Sequence, residues 1–208
     1  MSVAVKFCGI TSQDDARLCV DAGAALLGFN FWPKSKRHVT PDAAAAIIRG
    51  LPRGVVAVGL FVNASPLEVA RAAEISGITV AQLHGDEAVE DFVSTGLELI
   101  QVVKLSSEQS VHLLVPSRAS RVLVDSAVEG YGGAGKAFDW GLVDLVRQRL
   151  SRNVYVAGGL RPENVGDLVR RVRPEGVDVA SGVESSPGRK DGQKLRAFVA
   201  AVRDAERT

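Results

Sequence analysis

Cysteine is scarce: Cys8 and Cys19 are the only two in 208 residues, too few for a disulfide framework, so reduced thiols are expected. Charge of one sign is missing as well. With 25 Lys+Arg against 24 Asp+Glu, no field is built to attract a phosphate backbone, and no nucleic acid partner is expected. No run approaches the roughly 18 apolar residues of a membrane span, and Met1-Ser2-Val3-Ala4-Val5-Lys6 is not a basic segment followed by a long apolar one. No membrane partner and a cytoplasmic location are therefore expected. The three histidines, His38, His84 and His112, lack metal-ligand spacing with Cys, Asp or Glu, and no Ser-His-Asp order is present, so neither a metal site nor a covalent triad is predicted.

What the chain does have is 46% apolar residues and a regular alternation. Short β-branched runs give way to helical patterns eight times. Strands are read at Val3 to Phe7, Leu26 to Asn30, Val55 to Phe61, Thr79 to Leu83, Leu99 to Lys104, Arg121 to Val124, Val154 to Ala157 and Val177 to Ala180. Helices follow at Ser12 to Ala22, Asp42 to Arg49, Leu67 to Ile75, Glu87 to Ser94, Ser107 to Val115, Asp139 to Leu150, from Arg161-Pro162-Glu163, and Asp191 to Ala205. Helix starts carry their signals: Thr11 or Ser12 as N-cap before Asp14 and Asp15, Thr40-Pro41, and Ser65-Pro66. Near-continuous apolar strands indicate a parallel sheet covered by helices, and eight units close it. The expected architecture is α/β, a (β/α)8 TIM barrel forming a single domain over residues 1–208. An open doubly wound sheet is the competitor, but no Gly-x-Gly-x-x-Gly follows the first strand.

Such a barrel puts chemistry on the loops at the C-terminal strand ends. Gly158-Gly159 after strand seven and Ser181-Gly182 after strand eight supply bare backbone N–H groups where barrels hold phosphate, so a phosphate monoester is the expected ligand, with tight turns as the bland reading. The Gly130 to Lys136 loop is read as a flap or as a further phosphate contact, with turn geometry alone as the plainer alternative. Asp125 has the inward parity of Leu123 and suits a general acid; Cys8, at the end of strand one, suits a base. Each has a plainer alternative, a cap or surface salt bridge for Asp125 and a packed small hydrophobe for Cys8. Arg37 offers a planar fork for a carboxylate, near Phe31 and Trp32, or belongs to a solvated basic loop. His84 lines the pocket or is a structural imidazole.

In combination these pieces resemble a known family. Lys6-Phe7-Cys8-Gly9-Ile10-Thr11, Gly28-Phe29-Asn30-Phe31 with Ser35-Lys36-Arg37-His38-Val39, Gln82-Leu83-His84-Gly85, Leu123-Val124-Asp125-Ser126, Gly132-Gly133-Ala134-Gly135-Lys136, Ala157-Gly158-Gly159-Leu160-Arg161-Pro162-Glu163 and Asp178-Val179-Ala180-Ser181-Gly182-Val183-Glu184 resemble, in order and along the whole chain, phosphoribosylanthranilate isomerase of tryptophan biosynthesis. The resemblance implies an Amadori rearrangement of a phosphorylated aminosugar, N-(5-phosphoribosyl)anthranilate, without a cofactor. It implies Asp125 as the acid that opens the furanose ring and Cys8 as the base that takes the C2 proton. It further implies Arg37 at the anthranilate carboxylate, His84 lining the site, and Gly133, Gly135, Gly158, Gly159, Ser181 and Gly182 around the phosphate. Ala134 departs from the Thr or Ser usual in the family. A monomer or homodimer is expected. A lyase acting on a similar phosphosugar and a non-catalytic phosphate-ligand sensor are the rival readings.

Overall fold

The computed structural model describes residues 2–105, 111–112, 114–126, 140–150 and 154–207. Within them eight parallel strands close into a barrel in sequence order: β1 (Ala4–Cys8), β2 (Leu26–Asn30), β3 (Val56–Phe61), β4 (Val80–Leu83), β5 (Glu98–Leu105), β6 (Arg121–Ser126), β7 (Val154–Val156) and β8 (Gly176–Val179). Closure is the pairing of β8 on β1, with Lys6 opposite Asp178. The covering helices are α1 (Gln13–Ala22), α2 (Pro41–Ile48), α3 (Pro66–Ser76), α4 (Gly141–Leu150), α5 (Pro162–Val172) and α6 (Gly192–Ala205).

Strand alternation sorts the apolar residues into two cores. Outward-facing Val5, Phe7, Leu27, Phe29 and Val124 pack beneath the helices, and the Phe7 ring meets Phe198 of α6 edge-on at 6.1 Å. Inward-facing Leu26, Val58, Val80, Ile100, Leu123 and Tyr155 fill the barrel itself. Each such burial contributes about 2 kcal/mol. Two residues further along, the same parity reaches Gln82 from Val80, Asp125 from Leu123 and Cys8 from Lys6, so the pattern that fills the barrel also aims polar groups into its mouth.

Most helices start where local caps dictate. The Ser12 hydroxyl accepts from the Asp15 N–H, Thr40 from Ala43, and Ser65 forms a capping box with Glu68. The predicted helix over Glu87 to Ser94 is instead a 3₁₀ segment, Val89–Thr95, without a side-chain cap. Ala88 offers no acceptor there, and β-branched Val89, Val93 and Thr95 disfavour a regular α-helix. The helix predicted over Ser107 to Val115 falls largely outside the described residues. Beyond β8 the chain forms a 3₁₀ turn, Ser181–Val183, and then a hairpin, β9 (Glu184–Ser186) with β10 (Arg189–Lys190). Its turn is Pro187-Gly188, with Gly188 at φ 81°, a pairing suited to a type II turn. No helix among the described residues is long and apolar enough to cross a membrane.

Candidate active site

The C-terminal strand ends open onto a cavity of about 450 Å³, a volume suited to a small phosphorylated ligand. Cys8, Arg37, His84, Asp125, Gly158, Gly159 and Ser181 all line it, and Gly182 follows Ser181 in the same turn. The structure thus brings together residues from strands one, four, six, seven and eight. Gly133, Gly135 and Ala134 lie outside the described residues.

Cys8 ends β1 and is 8% exposed. Its thiol occupies space that only a glycine leaves open: a Cβ at Gly28, its register partner on β2, would fall 2.9 Å from Sγ. Burial pushes the thiol pKa up, and Lys6, Lys190 and Arg37 pull against that rise. Lys6, two residues earlier with the same inward parity, is fully buried and donates from Nζ to Asp178 Oδ2 at 2.8 Å. Burial works against the Lys6 ammonium, but Asp178 outweighs it and holds the lysine pKa above its ordinary value. Asp178 also lines the cavity, and its buried Oδ1 has no hydrogen-bond partner among the described residues. Thus the floor under the thiol is a buried ion pair.

Across the mouth, His84 Nε2 stands 3.6 Å from Asp125 Oδ2, too far for a hydrogen bond. Burial first, then Lys104 and Lys6, depresses the His84 pKa to about 4, so the imidazole is neutral at pH 7. Its Nδ1 lies 3.2 Å from the Gln82 amide nitrogen; with that nitrogen donating, the ring proton sits on Nε2 and faces Asp125. Gln82 Oε1 is buried without a partner among the described residues. The Asp125 wall therefore lines the cavity with a carboxyl group, a neutral imidazole and the Gln82 side chain.

After β7 and β8, two glycine-containing turns are pressed together. Gly158 and Gly159 have φ of 89° and 63°, left-handed values that turn the chain after β7 at low steric cost. A Cβ on Gly182 would lie 1.9 Å from the Leu160 carbonyl oxygen, so the second turn reaches the first only without a side chain. Glycine turns at such strand ends are suited to binding an anion through backbone N–H groups.

Arg37 reaches the cavity from the β2–α2 connection, but its fork is already partly engaged. Nε donates to Glu184 Oε1 at 2.8 Å and Nη2 to Glu184 Oε2 at 2.6 Å. Sequence reasoning singled out neither Glu184 nor Lys6, Asp178 and Lys190. For Lys6 and Asp178 the signal was present: opposite charges at inward positions of the two strands that close the barrel. For Glu184 and Lys190 it was the Pro187-Gly188 turn between them, which reads as a hairpin.

The family model described as N-(5'phosphoribosyl)anthranilate (PRA) isomerase matches residues 5–201. The N-(5'-phosphoribosyl)anthranilate isomerase of Thermotoga neapolitana is 44% identical over 199 residues, 95% of this chain and 97% of that protein. Among solved structures, phosphoribosyl anthranilate isomerase from Thermotoga maritima superposes with a TM-score of 0.88 at 38% identity, covering 97% of this chain and 99% of that one. Another solved phosphoribosyl anthranilate isomerase, in complex with reduced 1-(o-carboxyphenylamino)-1-deoxyribulose 5-phosphate, has a TM-score of 0.84 at 36% identity, with 97% and 99% coverage.

Proposed function

The chain belongs to the N-(5'-phosphoribosyl)anthranilate isomerase family, and from that premise we propose which of its residues perform the reaction. The enzyme is an isomerase of tryptophan biosynthesis, converting N-(5-phosphoribosyl)anthranilate to 1-(2-carboxyphenylamino)-1-deoxyribulose 5-phosphate. Asp125 is the general acid. The anomeric nitrogen's electron pair forms the C1–N double bond as the ring C–O bond breaks, and the departing ring oxygen takes the carboxyl proton. Cys8 is the general base. As its thiolate removes the C2 proton, the freed electrons move into the C1–N system and give an enolamine, which tautomerises to the ketone.

The observation that carries this assignment is the convergence of Cys8 and Asp125, from β1 and β6, on one cavity that also receives the glycine turns. The turns at Gly158-Gly159 and Ser181-Gly182 hold the phosphate, Arg37 meets the anthranilate carboxylate, and His84 lines the wall beside Asp125. Lys6 is the positive charge that most favours the thiolate, since buried thiols otherwise stay protonated. The protein works in the cytoplasm on a small phosphorylated aminosugar, as a monomer or homodimer. A solved family member described as dimeric and the absence of a membrane-length apolar helix among the described residues support this.

The test follows substrate fluorescence as phosphoribosylanthranilate disappears. Cys8→Ser is expected to lower kcat by at least about a hundredfold while product affinity changes little, the pattern of a lost proton-transfer group. Turnover near that of the unmodified enzyme removes Cys8 from the base role.

A further inference from the structure

Behind the groups that face the substrate lies a second buried charge cluster, centred on Glu184 of β9. Besides the two bonds from Arg37, Glu184 Oε1 accepts from Lys190 Nζ at 3.1 Å. The Lys190 side chain is 0% exposed, and the same ammonium donates to the Cys8 carbonyl at 2.6 Å and the Ala180 carbonyl at 3.3 Å. One lysine thereby ties the backbone at the thiol, the backbone entering the Ser181-Gly182 turn, and the carboxylate that holds Arg37. The hairpin is itself pinned: Lys194 Nζ donates to the Glu184 carbonyl at 2.8 Å, the Thr11 hydroxyl to the Gly188 carbonyl at 2.6 Å, and the Lys190 N–H to Asp15 at 3.0 Å.

Charge gives this arrangement a direction. Burial raises the Glu184 pKa, but the Arg37 hydrogen bond and the charges of Lys190 and Arg37 outweigh it and keep the carboxyl below its ordinary range. One carboxylate then faces two cations, and Arg37 is the cation that reaches the cavity, at 21% exposed. The guanidinium is a rigid fork, so fixing two of its nitrogens fixes the third. Its stem is fixed too, lying across Gly9, where a Cβ would fall 2.3 Å from Arg37 Cδ.

We propose that Glu184 is a positioning residue: it holds Nε and Nη2 of Arg37, is anchored by Lys190, and so presents Nη1 to the substrate carboxylate at a set distance from the phosphate turn at Ser181-Gly182. The inference rests on the reading of Arg37 as the carboxylate-binding group. It makes the span between the carboxylate and phosphate ends of the ligand a property of one hairpin.

The experiment is a double-mutant cycle on the full chain with two readouts: KM for the substrate, and Ki for ribulose 5-phosphate, which carries the phosphate but no carboxylate. Glu184→Gln is expected to raise KM about tenfold, with kcat and Ki within about threefold of the unmodified enzyme. In an Arg37→Ala background, already raised in KM, the same change is expected to add less than about twofold, because the two residues act as a unit. Glu184→Asp keeps the charge beside Lys190 with a shorter reach and carries the test if Glu184→Gln does not fold; its KM is expected to rise about threefold or more. Equal losses in KM and Ki, or additive effects in the cycle, overturn the positioning role. If Arg37→Ala leaves KM unmoved, the reading of Arg37 fails and takes this one with it. A raised KM for Arg37→Ala with an unchanged KM for both Glu184 variants removes Glu184 alone.

Discussion

At the scale of single residues, burial and neighbouring charges shift where groups of the site titrate, and His84 shows how measurable this is. Its pKa is depressed from 6.5 to about 4, by burial first and then by Lys104 and Lys6. The unfolded chain protonates this imidazole below about 6.5, whereas the folded chain resists until about 4. Between those values the unfolded state binds the extra proton, so the contribution of His84 is full above pH 6.5 and is lost as pH falls towards 4, about 3 kcal/mol in all. Urea unfolding over that range should show a slope against pH that becomes shallower by up to about one proton in His84→Gln. Identical slopes would mean that the imidazole is not neutral in the fold. At the facing carboxyl, Asp125→Asn keeps the shape and removes the transferable proton. It is expected to lower kcat by at least about a hundredfold with little change in KM, read in the fluorescence assay; an unimpaired rate assigns ring opening to another donor.

At the scale of elements, the strand-end turns make the ligand pocket, and their glycines are steric requirements. With a Cβ at Gly182 only 1.9 Å from the Leu160 carbonyl oxygen, Gly182→Ala must push the β7 and β8 turns apart. The neighbour is backbone and cannot swing away. KM for the substrate and Ki for ribulose 5-phosphate are both expected to rise about tenfold or more, because the anion loses converging N–H groups. A ratio near one in both places the phosphate elsewhere. This is also the scale at which the sequence was most readable. Helix starts at Ser12, Thr40-Pro41, Ser65-Pro66 and Asp191 are decided by side chains within three residues of the N–H groups they satisfy, and the parity of Asp125 together with the strand-end position of Cys8 assigns both to one mouth. The partner of Arg37 was not readable, since Glu184 is 147 residues away and no local rule pairs them. The segment Val89–Thr95 departs from the helix expected over Glu87 to Ser94 because its uncapped, β-branched sequence favours the tighter 3₁₀ form.

At the scale of the whole molecule, a barrel is stable only when its first strand finds its last, and here that seam carries charge. Lys6 and Asp178 are register partners across β1 and β8, 172 residues apart, and their side chains meet at 2.8 Å inside the barrel. Nearby, Arg203 of α6 donates to the Ser2 hydroxyl at 2.7 Å and the Val3 carbonyl at 2.9 Å, tying the closing helix to the start of the chain. An ion pair in such a place adds little net stability over a well-packed apolar pair, yet removing one member leaves a buried charge with no partner. Lys6→Met should therefore cost about 3–5 kcal/mol in denaturant unfolding, and a Lys6→Met, Asp178→Leu double variant should recover most of the loss. High pH acts on the same pair. The Lys6 pKa is raised by its partner, so its contribution is complete below the ordinary lysine value and disappears only as pH climbs through the raised one. If Lys6→Met costs under about 1 kcal/mol, the pair does not hold the seam, and Lys6 belongs to the chemistry of the thiol above it rather than to closure.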